Sequence, residues 1–177
     1  MKRKTLNGIL SSGIGSLWWG VIGVLYFKSV SFVSPLELTI HRTVWTAFLL
    51  IFTISAYSKW NRVLTILKNF KTTLLLFLTS ILIVTNWYTW IYAVTVNKLI
   101  DAAFGYYIFP ILSVFFGILF LKESHNKMKL IAVGLVIIAV IYLLIDIEST
   151  PWIGLIVALT WSVYTLIRKK INISTDV

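Results

Sequence analysis

The 177-residue chain is 59% apolar, 15% aromatic and only 12% charged, a composition that cannot be arranged as a soluble ball with a polar skin and that marks an integral membrane protein. Its formal net charge of +10 does not point to nucleic acid, because the basic residues stand in short clusters between apolar runs, where membrane orientation accounts for them. Having no cysteine, the chain is excluded from disulfides, thiolate nucleophiles and cysteine-bound metal.

The expected fold is all-α, a polytopic transmembrane helix bundle. Runs long enough to cross a hydrocarbon core of about 30 Å occur at 8–27, 38–57, 72–96, 102–121, 128–145 and 152–167. They are continuous rather than alternating in polarity, which favours helices over a barrel. The last two are short for a span and should stand nearly upright or borrow a residue or two from their flanks.

Basic residues flank these runs with a consistent bias. Lys2, Arg3 and Lys4 precede the first; Lys59, Arg62, Lys68 and Lys71 follow the second; Lys122, Lys127 and Lys129 follow the fourth; Arg168, Lys169 and Lys170 follow the sixth. The opposite side carries Lys28 and Lys98 against Glu37, Asp101, Asp146 and Glu148. Both termini are therefore expected in the cytoplasm. The N-terminal "MKRK" and the run behind it read as a retained first helix rather than a cleaved signal.

The second run opens with "SPLELTIHRTVW". On a helix beginning near Pro35, Glu37, His41 and Trp45 are spaced by four and share a face, and Arg42 is turned about 100° from His41. Two readings of Arg42 stand: it snorkels to the interface, or it faces a pathway, attracts an anionic group and pairs with Glu37 or Asp101. For His41 the two readings are a pH-sensitive group and a hydrogen-bonded structural histidine. After this run, "KWNRVLTILKNFK" places Trp60, Val63, Leu64 and Leu67 on one face and should lie in the interface or form a short solvated helix.

In the third run, "TNWYTWIYAVTVN", Asn86, Trp90, Ala93 and Asn97 recur at helical spacing and should look inward, either as an interhelical hydrogen-bonding face or as a substrate lining. In the fourth, Pro110 cannot donate to the Tyr106 carbonyl, which leaves either a purely structural bend or a free carbonyl near the midplane able to hold a ligand. His41 and His125 fall on opposite sides of the membrane and cannot share a haem or metal, and no G-x-S-x-G nucleophile occurs. No enzyme and no cofactor are expected.

"SPLELTIHRTVW", "NWYTWIYAV" and "DAAFGYYIFPILSVFFGILFLKE", in that order, resemble landmarks of RarD-type permeases in the EamA branch of the drug/metabolite transporter superfamily. The resemblance runs from the first span to the sixth. It implies a bacterial inner-membrane transporter of ten helices in two inverted five-helix repeats, moving a small organic solute by alternating access. The chain departs from the pattern at Gly23, Asp101 and Phe109, where proline, glutamate and asparagine are usual. "SLWWGVIGVLYFK" also aligns with "ALTWSVYTLIRKK", placing Trp19 over Trp161, as an inverted repeat of five helices would.

On that basis residues 1–148 form the first repeat and 149–177 the start of a second. The chain is expected to be a fragment, or to assemble with a second half or another copy. The expected substrate-lining set is Glu37, His41, Arg42, Trp45, Asn86, Trp90, Asp101, Tyr106 and Pro110, with the lipid bilayer and a small solute as partners. The alternative function is a non-transporting membrane scaffold or assembly subunit. Proton coupling through Glu37, His41 or Asp101 is left open.

Overall fold

The computed structural model describes residues 2–123, 126–145 and 151–171, and among these it contains only helices joined by short connections. The first span comprises α1 (Lys2–Leu17), a π-helical turn (Trp18–Gly23) and α2 (Val24–Ser29). It is followed by α3 (Pro35–Ala56), the short α4 (Trp60–Leu67), α5 (Phe70–Thr95), α6 (Leu99–Leu121), α7 (Lys127–Ile145) and α8 (Trp152–Ile171).

Every span expected from hydropathy is present as a helix. Thr5–Ser29, Pro35–Ala56, Phe70–Thr95 and Leu99–Leu121 are long and apolar enough to cross a membrane, and α7 contains the shorter apolar stretch Leu130–Ile145. The membrane-wide windows of the first two spans are 0% and 6% buried by protein. Such apolar walls require hydrocarbon around them.

Local chemistry sets the helix limits. Ser34 caps α3, its Oγ accepting from the Glu37 N–H at 3.2 Å, with Pro35 in the first turn. This is the serine–proline start at which a missing proline N–H does no harm, and it gives Glu37 a capping position as well as a charge. Asn69 caps α5 through Oδ1, which accepts from the Thr72 N–H at 3.1 Å. At the other end of α5, Asn97 adopts φ 57° and the Lys98 N–H donates to the Ala93 carbonyl at 2.7 Å. Asn97 thus terminates the helix in a left-handed turn and is exposed. The inward face expected to run from Asn86 to Asn97 stops at Val94.

The π turn has a positional consequence. An extra residue inserted in the helical ladder turns the side chains that follow it, and Trp19, inside this turn, packs against Trp90 at 5.2 Å and Phe27 at 6.5 Å between ring centroids. Phe27 lies 5.4 Å from Trp90. Together with Ile91, Ala93, Val94, Ala102 and Ile153 these form the buried core.

Helix directions follow from the contacts. Tyr92 of α5 lies 6.2 Å from Trp152 of α8, and Asn86 reaches Val157 and Thr160, so α5 and α8 are antiparallel. Gly105, Phe109 and Glu123 meet Gly154, Trp161 and Lys169 in turn, so α6 and α8 run parallel. One end of the bundle, here the upper end, carries the α2–α3 and α5–α6 connections. The lower end carries Lys122 and the basic last turn of α8, Arg168, Lys169 and Lys170.

The α6–α8 crossing is a glycine contact. A Cβ added to Gly154 would lie 2.5 Å from the Asp101 carbonyl oxygen and 3.0 Å from the Gly105 nitrogen, and one added to Gly105 would meet the Gly154 carbonyl oxygen. Where lipid is as apolar as the helix surface, backbone proximity of this kind is what drives association.

Candidate functional site

The bundle contains a cavity of about 390 Å³ lined by Trp19, Arg42, Asn86, Trp87, Trp90, Tyr106 and Trp161. Five elements supply these groups: the π turn, α3, α5, α6 and α8. On α5 the lining residues 86, 90 and 87 span an arc of about 100° at helical spacing. Trp87 is the edge of that arc, one position outside the face read from the sequence.

Arg42 is the charged group in this lining. Its guanidinium carbon lies 3.9 Å from the Trp87 ring centroid and 5.0 Å from that of Trp19, inside the range of cation–π attraction. The expected pairing of Arg42 with Glu37 or Asp101 does not occur. Among the described residues Arg42 makes neither an ion pair nor a hydrogen bond. Glu37 instead stands 3.9 Å from His41 Nε2, one helical turn away, with both side chains mostly exposed.

Asn86 is almost wholly buried, and its Nδ2 donates at 3.0 Å to both the Val157 carbonyl and Thr160 Oγ1. An amide NH₂ has two hydrogens. Both are taken by α8, so the structural reading of Asn86 accounts for its donors although its side chain borders the cavity.

A second, upper cavity of about 670 Å³ lies beside the first between α2 and α3, running from Val30 and Val33 at the upper end down past Arg42 to Leu49. Glu37, His41, Arg42, Trp45, Thr46 and Trp19 are among its lining residues. Trp19 and Arg42 therefore belong to both spaces. A third, of about 270 Å³, lies between the lower halves of α6 and α8 and is lined by Phe109, Ser113, Gly117, Ser162, Thr165 and Lys169 among others. Among the described residues the Ser113 and Ser162 hydroxyls are buried there without a hydrogen-bond partner. Lys169 pairs with Glu123 at its rim, and Phe109 meets Trp161 at 6.3 Å between it and the central cavity.

Of the residues expected to line a substrate path, Arg42, Asn86, Trp90 and Tyr106 border the central cavity, and Glu37, His41 and Trp45 join Arg42 in the upper one. Asp101 and Pro110 line none of these three. Asp101 contributes its carbonyl to the glycine crossing. Pro110 is exposed on an α6 that continues through it. Trp19, Trp87 and Trp161 were not singled out as lining residues, although the internal alignment of Trp19 with Trp161 contained the signal. His125, Asp146 and Glu148 lie outside the described residues.

Residues 6–145 match the model of the EamA-like transporter family. The chain belongs to that family. It is 36% identical over 175 residues to an uncharacterized transporter of Vibrio cholerae, covering 99% of this chain and 58% of the relative. It is 33% identical over 174 residues to Protein RarD of Salmonella typhi, with 98% and 59% covered. Protein RarD of Escherichia coli K12 is 31% identical over 174 residues, covering 98% of this chain and 58% of that protein. The chain thus spans somewhat less than three fifths of the length of these relatives. No solved structure matches it. Family and fold together make it a RarD-type, multi-pass membrane protein of the EamA family.

Proposed function

We propose that this protein builds a solute path across a bacterial inner membrane and carries small organic molecules along it by alternating access. Residues 1–148 supply the first five-helix repeat and residues 149–177 open the inverted second one, with both termini in the cytoplasm. The observation that carries this reading is that the cavities adjoin one another through shared or touching residues. The upper space shares Trp19 and Arg42 with the central one, while the Phe109–Trp161 contact and the Glu123–Lys169 pair stand between the central space and the basic end.

On this reading the path is open above and constricted below, at the Phe109–Trp161 contact. Trp19 and Trp161, matched by the internal alignment, reach the same cavity from α1–α2 and α8. Two inverted repeats place their equivalent residues around a shared midplane site. Opening below requires α8 to separate from α6 at Phe109 and Trp161, and closing above requires α2 and α3 to approach across the upper space.

The test is flux. The purified 177-residue chain, reconstituted in liposomes, should exchange small organic solutes at rates above empty vesicles, and Trp161→Ala should lower that exchange at equal membrane abundance. A correctly inserted, stably folded chain that passes no solute from a panel of organic anions, cations and neutral molecules supports the scaffold function instead.

A further inference from the structure

We infer that the solute taken by the central cavity is an organic anion with a flat ring system, its carboxylate held by Arg42 and its ring by tryptophans; the inference rests on that cavity being the solute site.

The first observation is the state of Arg42. A guanidinium offers five N–H donors and accepts nothing. A charge within a membrane span is stabilised by pairing or by water, yet among the described residues this one has no hydrogen bond and no carboxylate. Its charge centre rests over two indole rings, and ring faces attract the charge without supplying the in-plane oxygen acceptors that the N–H fork fits. Arg42 is the eighth residue of α3 counted from Pro35, about 10 Å along the helix. A snorkelling side chain would extend upward to the interface. Here it is directed sideways onto Trp87 of α5.

The second observation is the wall. Trp19, Trp87, Trp90 and Trp161 line one space of about 390 Å³, near the small end of the range for ligand pockets. Indole faces favour stacked or edge-on rings. An inorganic anion would satisfy Arg42 and leave four indoles uncovered, and an organic cation would be repelled by Arg42. A ring-bearing carboxylate of one or two fused rings meets both conditions.

The experiment uses 1-naphthoate and its neutral near-isostere 1-naphthamide, titrated calorimetrically against the 177-residue chain in phosphatidylcholine nanodiscs. Naphthoate is expected to bind about tenfold or more tighter, the usual worth of a charge-assisted hydrogen bond. Arg42→Gln should reduce naphthoate to the amide's affinity, Arg42→Lys should restore part of the difference, and Trp161→Ala should weaken both probes. Circular dichroism and elution profile establish that each variant is folded. Equal binding of the two probes to the unmodified protein, both weakened by Trp161→Ala, overturns the anionic class and leaves the site. A naphthoate preference that survives Arg42→Gln also overturns it. Absence of binding by either probe removes the site reading itself, and this inference with it.

Discussion

Adding one methyl group at Gly154 should open the principal helix contact of this protein. The new Cβ would lie 2.5 Å from the Asp101 carbonyl oxygen and 3.0 Å from the Gly105 nitrogen, so the first approach is about 1 Å closer than ordinary van der Waals contact allows. Both obstacles are backbone, and no rotamer change relieves them. α8 must therefore move away from α6, and a gap of about 1 Å forfeits up to half of the dispersion energy of the atoms that line it. Overpacking of this kind costs about 1–3 kcal/mol, and the backbone obstruction places Gly154→Ala toward the upper end. For a chain of this length the upper end corresponds to a fall of about 6–12 °C in unfolding midpoint, read by tryptophan fluorescence in nanodiscs. Gly134→Ala is the internal comparison, because a Cβ there meets nothing within 4 Å. It should be neutral or stabilising by up to about 1 kcal/mol through helix propensity. Equal midpoints for the two variants would refute the close crossing of α6 and α8.

Asn86→Leu removes both hydrogen bonds to α8 and should destabilise by about 0.6–1.7 kcal/mol, and a double-mutant cycle with Thr160→Val measures how much of that belongs to the side-chain pair. Asn97 occupies a left-handed backbone position, so Asn97→Val should destabilise by about 1–2 kcal/mol and Asn97→Gly should be harmless in the same unfolding assay. Glu123→Gln should destabilise by about 1 kcal/mol or less, since Glu123 is 28% exposed but its partner Lys169 is 64% exposed and pairs open to solvent contribute about 0–1 kcal/mol. With Ser113→Cys in the same chain, however, it should speed labelling of that thiol from the basic side by loosening the rim of the lower cavity.

The spans were legible because bilayer thickness and helical rise turn a hydropathy run into a helix with few alternatives. The start of α3 was equally plain, since Ser34 and Pro35 announce a helix N-terminus. Asn97 shows where such reading stops. Its spacing from Ala93 fits a helix face, but whether the chain continues or turns left-handed there depends on Lys98 closing back on Ala93, a local choice that periodicity does not encode. The π turn at Trp18–Gly23 is of the same kind.

The site was half legible. Arg42, Trp90 and Tyr106 stand out as polar or aromatic residues in apolar runs, and they do converge. Asn86 also converges, but its donors go to residues more than seventy positions away on α8, a pairing that one sequence does not reveal. Asp101 stood out by its charge, and what the fold adds is that its backbone carbonyl lies at the glycine crossing. Trp87 was passed over because a cavity of this width takes residues from a broader arc than one strict helical stripe.

The central claim, a solute path that opens alternately to either end, is tested most directly by thiol accessibility, because the chain contains no cysteine. Leu38→Cys in the upper cavity and Ser113→Cys in the lower one each create a lone thiol in a reconstituted vesicle of known orientation. A membrane-impermeant maleimide should reach position 38 from the outer face alone and position 113 from the cytoplasmic face alone, and saturating 1-naphthoate should speed one labelling rate while slowing the other. Two thiols reached from the same face, or rates that rise and fall together, would contradict the account.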